Sequence, residues 1–236
     1  KRVYLHGCAQ GDDHWYVSDR YEFHRSPAIR NVVAKTFEMA GKTVADVAAF
    51  DLYSCFTSAV EIACDEIGIS TEDPRDLTVT GGLPYFGGPG NNYVTHSIAE
   101  MVHRMRAKPG AFGLVTANGN YVTKHAAGLY STTPLSKPWE REDPKRLQDY
   151  LAGLPKPVVS QTPSGPAKIE TYTVVHGKAG PEMGIVFGRL TETNQRFVAN
   201  TPADATTLSD LEARDSLGRP GRVTSQDGRN TFVPAA

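Results

Sequence analysis

Two rhythms of apolar residues alternate through the first half of the chain. Short apolar runs at residues 2–9 (RVYLHGCA), 47–52 (VAAFDL), 77–80 and 112–117 (FGLVTA) have the length of buried strands. Between them apolar positions fall at helical spacing. Ile29, Val32, Val33, Phe37 and Ala40 mark one helix, with Ser26 as its cap, Pro27 at its first position and Gly41 as its stop. Ala59, Val60, Ala63 and Ile67 mark a second, over Thr57–Ile67, which stops at Gly68. Val94, Ile98, Met101, Val102 and Met105 mark the buried stripe of a third. Residues 11–24 read as a polar, aromatic loop. Asn118-Gly119-Asn120 is a turn, with a return strand within 126–131. The succession predicts an α/β half-domain over 1–133, a mixed sheet with helices on both faces.

The pattern then changes. Residues 132–167 hold seven prolines and room for one short helix, about 144–151, so 134–165 read as a Pro-rich linker. Beyond it come short strands (IETYTVV, GIVFGRL, RFVAN, GRVTS, NTFVP), interrupted by a short helix at 208–214. They predict a small additional C-terminal β domain over 166–236, barrel-like and OB-like.

The third helix is preceded by the densest local signal, TGGLPYFGGPGNNYVTHSIAEMVHRMR at 80–106, with five glycines from Gly81 to Gly90. Such a loop permits positive φ and close backbone approach. With Asn91 or Asn92 as cap, it presents the amides of a helix N-terminus to an anion or carbonyl oxygen. No lysine follows, so it is not a Walker loop, and the spacing is not GxGxxG. Gly82, Gly87, Gly88, Pro89, Asn91 and Asn92 are its candidate ligand contacts.

Charge narrows the partners. The 236 residues carry a formal net charge of −1, with 12 basic and 14 acidic residues in 1–133 and 13 and 12 in the rest. No basic stripe marks a nucleic-acid surface, and no run reaches the ~20 apolar residues of a membrane span. Cys8, Cys55 and Cys64 have no metal or disulfide spacing and point to reduced thiols in the cytoplasm. His96, Glu100 and His103 share a helix face, but lack the partner carboxylates of a metal site. No metal is expected. The chain opens on Lys1 and runs at once into a strand, as a fragment or cleaved product would.

Three stretches carry a family resemblance. FDLYSCFTSAVEIACDEIGI resembles the strand-turn-helix of thiolases that bears Asn-Glu-Ala-Phe, or His-Asp-Cys-Phe in sterol-carrier-protein thiolases. TGGLPYFGGPGNNYVTHSIAEMVHRMR resembles their Gly-His-Pro loop and the helix after it. FGLVTANGNYVTKHAAGLYS resembles their closing hairpin, whose turn carries Cys-x-Gly. In this order they resemble the C-terminal half of a thiolase-superfamily protein, of the type with an additional C-terminal domain. The resemblance implies an acyltransferase scaffold of lipid metabolism with CoA or acyl-CoA as ligand and no covalently bound cofactor. It also implies an N-terminal thiolase half as partner, from the same precursor or a second chain. The helices at 57–67 and 92–106, with small apolar stretches at 62–64 and 97–99, are expected to be covered by that half.

The departures decide what chemistry the resemblance permits. Gly88 stands where the family's base His would be, Tyr53 where its oxyanion Asn or His would be, and Thr116 or Ala117 where its second Cys would be. Glycine moves no proton, and an untuned Thr hydroxyl does not replace a thiol as acid/base. The chain is therefore expected to bind an acyl-CoA without competent thiolysis or Claisen condensation, with Phe56, Thr116 and Asn118 as further ligand contacts. Two alternatives stay open. One is a retro-aldol lyase or other acyl-CoA enzyme, with Tyr53, His96 or His125 as acid/base; thiolase-like aldolases also use tyrosines. The other is a scaffold whose β domain docks a partner.

Overall fold

The computed structural model describes residues 1–235 and divides into two units: residues 1–17 with 22–154, and 18–21 with the chain from 155 onward. The first unit is a four-stranded mixed sheet in the order β1-β4-β3-β2. Its strands are β1 (Tyr4–Asp12), β2 (Val47–Asp51), β3 (Phe112–Gly119) and β4 (Lys124–Ser131). β1 and β3 pair antiparallel with β4, and β2 runs parallel to β3.

Helix α1 (Pro27–Ala40) is built as its sequence dictates. The Ser26 hydroxyl accepts from the Ile29 amide at 3.2 Å, Pro27 opens the first turn, and Gly41 closes it at φ +62°. Its apolar stripe meets α2 (Thr57–Ile67) and one sheet face in a core of Ile29, Val32, Val33, Phe37, Phe50, Leu52, Ala63, Cys64, Leu114 and Leu129. α4 (Tyr93–Ala107) covers the other face, where Met101 and Met105 pack on Ala49, Val79 and Val115. Helices thus lie on both faces. Close approach sets Gly7, where an added Cβ would stand 2.1 Å from the Thr36 carbonyl oxygen of α1.

Several sequence expectations need correction. β1 continues three residues past Ala9, because the polar stretch to Asp12 pairs with β4 as far as Lys124. Residues 77–80 form no strand. Phe50 and Leu52 donate to the carbonyls of Asp76 and Leu77, a slip that leaves only an isolated Asp51–Thr78 bridge. No side chain caps α4. A tight turn over Gly90–Asn92 feeds into it directly, and the Asn92 amide group contacts His96 Nε2 at 3.2 Å. The deepest stripe of α4 is Tyr93, Ser97, Met101 and Met105, one step round from the predicted one; Val94, Ile98 and Val102 are half-buried. Ala63 and Cys64 of α2 pack into the unit's own core, and Val60, Ile62 and Ile67 stay half-buried. The conspicuous exposed apolar groups are loop aromatics instead: Phe56 is 73% exposed and Tyr85 91%.

Residues 134–143 and helix α5 (Pro144–Ala152) pack with this first unit. Gln148 of α5 pairs with the main chain of Asp12 through both its amide atoms, at 2.8 and 3.2 Å, and so caps the end of the free edge of β1.

The second unit is a closed five-stranded barrel in the order β5-β6-β7-β9-β8. Its strands are β5 (Gly165–Gly177), β6 (Gly180–Leu190), β7 (Arg196–Asn200), β8 (Pro220–Gln226) and β9 (Arg229–Pro234), with α6 (Ala205–Ala213) between β7 and β8. β7 and β9 run parallel, giving the OB arrangement. Ala167, Ile169, Val186, Phe197, Leu211, Val223 and Phe232 fill it. Arg196 is fully buried. It pairs with Glu170 at 2.7 Å and donates to the carbonyls of Ser18, Arg20 and Tyr21, which fastens that short segment to the barrel.

Candidate functional site

The site grows from the carboxyl end of β2. Asp51 ends an apolar strand, fully buried, and its carboxylate must find donors there. Thr80 supplies its amide and hydroxyl to Oδ2, both at 3.1 Å, and the Tyr93 hydroxyl reaches Oδ1 at 3.2 Å. Tyr93 also meets the hydroxyls of Thr80 (2.6 Å) and Ser54 (3.3 Å), and Ser54 accepts from the Leu83 amide at 2.9 Å. One buried carboxylate therefore ties β2, both ends of the glycine loop and the start of α4 together.

Within the loop, α3 (Leu83–Phe86) is a single helical turn. Gly81, Gly82, Gly87, Gly88 and Gly90 all take positive φ. The amides of Tyr85, Phe86, Gly87, Gly90 and Asn92 are spent on loop carbonyls, so the loop does not hold out the sheaf of free amides that its sequence predicts. Gly88 stands at φ +58°, a left-handed conformation that favours glycine.

Tyr53 follows at the head of the sheet. Its amide donates to Thr116 Oγ1 at 2.9 Å, and its ring packs edge-on against Tyr93 with centroids 5.4 Å apart. Burial, with Cys55 and Tyr93 beside it, raises the phenol's pKa above the ordinary 10, so at neutral pH it is a hydrogen-bond donor. Asn118 Nδ2 faces Cys55 Sγ at 3.7 Å, while its buried Oδ1 has no hydrogen-bond partner. A groove of about 910 Å³ brings together Tyr53, Gly90, Asn91, Tyr93, Asn118 and His125.

The other candidates lie elsewhere. Thr116 is buried, its hydroxyl held by the Tyr53 amide. His125 borders the groove, but its Nε2 faces inward to Ser26 Oγ at 3.4 Å and Asp13 Oδ2 at 3.8 Å, in the cluster that caps α1. His96 is exposed on α4 with its ring on Phe86, centroids 5.2 Å apart, and it does not line the groove. Phe56, Gly82, Gly87, Gly88, Pro89 and Asn92 also stand outside the groove lining. Glu100 is paired with Arg104 at 3.0 Å. Among the described residues no cluster of His, Cys, Asp or Glu could hold a metal, and no helix is long and apolar enough to cross a membrane. Sequence reasoning missed Asp51, Ser54, Thr80 and Tyr93. Its one available signal was an aspartate ending an otherwise apolar strand.

An α/β half with a glycine loop and closing hairpin, followed by an OB-type barrel, defines a thiolase-like architecture. Residues 146–229 match the family described as the thiolase-like protein type 1 additional C-terminal domain. The chain is similar to a monomeric SCP2-thiolase-like protein type 1 from Mycobacterium smegmatis, known from its crystal structure. The identity is 41% and the TM-score 0.90, covering 99% of this chain and 50% of that one. The two matches together support a thiolase-like protein with the additional C-terminal domain. It spans half the length of that relative. No curated protein matches it.

Proposed function

We propose that the chain is the C-terminal half of a cytoplasmic protein that binds CoA thioesters on a thiolase scaffold without ordinary thiolase chemistry. The observation that carries this reading is the groove at the head of the sheet. There a protonated Tyr53 phenol and the Asn118 amide meet, while the glycine loop is held in a conformation that favours glycine at position 88. The Tyr53 hydroxyl is a donor that suits a thioester carbonyl, and no nucleophile or base faces it from the loop. The exposed Phe56 and Tyr85, with the half-length match, support an N-terminal half lying over this face. Free Cys8, Cys55 and Cys64 fit the cytoplasm.

The test is calorimetric titration of CoA and acetyl-CoA into the natural protein containing these residues, beside an acetoacetyl-CoA thiolysis assay. Micromolar binding without turnover is the expected outcome. Turnover near that of a working thiolase, or no binding at millimolar CoA, would overturn it. One observation favours a second reading, an acyl-CoA lyase: Tyr53 lines the groove, where its phenol is a hydrogen-bond donor at neutral pH and could hand a proton to an oxygen of the substrate. In that case Tyr53→Phe abolishes turnover of a 3-hydroxyacyl-CoA while leaving CoA binding intact.

A further inference from the structure

Behind Tyr53, on the side of the sheet covered by α1 and α2, lies a second and much smaller cavity of about 20 Å³. A space of ~10–15 Å³ admits one water-sized sphere, so this one takes a single methyl-sized group. Ile29, Val32 and Val33 of α1 and Ala59 and Ala63 of α2 wall it, and Val122 of the β3–β4 hairpin lines it as well. Tyr53, Ala117, Asn118, His125 and Ala126 border both this cavity and the groove. The unpartnered Oδ1 of Asn118 is therefore an acceptor at the boundary between them.

Val122 adds an independent observation. It stands at φ +56°, where a β-branched side chain is strained and a glycine or asparagine is at ease. Its neighbour Asn120 has the same φ with a residue suited to it. A valine kept under strain at the cavity wall points to a use for its side chain there. Resting on the reading of the groove as an acyl-CoA site, we propose that the small cavity is an acyl-tip pocket. It seats the terminal methyl of a group as short as acetyl, and Val122 sets its depth.

The experiment titrates CoA, acetyl-CoA, butyryl-CoA and octanoyl-CoA into the natural protein containing this chain, in wild type, Val122→Gly and Ala59→Val, with thermal melts to confirm folding. In wild type acetyl-CoA binds about fourfold tighter than CoA, the value of one buried methyl, and the longer chains bind more weakly than acetyl. Val122→Gly relieves the strain, keeps its melting transition and shifts the preference about tenfold toward butyryl-CoA. Ala59→Val fills the cavity and reduces acetyl-CoA to the affinity of CoA. Chain-length preferences that are absent in wild type, or the same in all three proteins while CoA still binds, would overturn the pocket and leave the acyl-CoA reading standing. Failure of CoA itself to bind would overturn both.

Discussion

Tyr93→Phe probes the device that holds the site together. The substitution removes one oxygen from a side chain that is 1% exposed and leaves its ring packing in place. The lost hydroxyl contacts Asp51 at 3.2 Å, Thr80 at 2.6 Å and Ser54 at 3.3 Å. Asp51 then keeps only the two Thr80 donors, in a site that water does not reach. A hydrogen bond to a charged group contributes about 1.5–3 kcal/mol. For a unit of about 150 residues each kcal/mol moves the melting temperature by about 2–4 °C, so the expected loss is about 3–12 °C. The glycine loop is anchored through Thr80 and through Ser54 to the Leu83 amide, so loosening the ring also frees residues 84–92. Near-UV circular dichroism melts and limited proteolysis read the two effects separately. A shift under 1 °C with no new cleavage in 84–92 would show that the Asp51 ring does not organise the loop.

Two further outcomes follow from single residues. Arg196→Ala leaves Glu170 without its closest buried partner and three carbonyls of 18–21 without their donor; breaking such a pair costs about 3–5 kcal/mol, seen as loss of the barrel's cooperative urea transition, and a midpoint within error of wild type would refute it. The Arg75 guanidinium holds Asp73 at a pKa of about 2, below its ordinary 3.8, so the pair stabilises the fold above about pH 4 and loses that effect as pH falls through 2; Asp73→Asn should lower the urea midpoint at pH 7 and approach wild type as the pH falls to about 2, and an equal deficit at both pH values would refute the assignment.

Local signals in the sequence were enough for the elements whose ends carry their own chemistry. Ser26-Pro27 and Gly41 bound α1, and Gly68 ends α2 at φ +75°, as those residue types require in any context. The change to short strands after the proline-rich stretch marked a β domain, although its closure into a barrel depends on β5 meeting β8 across some fifty residues. Tertiary structure decided the rest. Whether residues 77–80 formed a strand depended on register against β2, and which α4 positions were deepest depended on how the helix rolls on its sheet. His125 looked free to serve a groove, yet it faces Asp13 and Ser26, residues about a hundred positions away. The loop amides looked available, yet local turns consume them. The roles of Asp51 and Tyr93, forty-two positions apart, were invisible for the same reason. Sequence fixes which polar groups exist and which backbone angles they tolerate, but which donor satisfies which buried acceptor is settled only when folding excludes water and brings distant residues within 3 Å of each other.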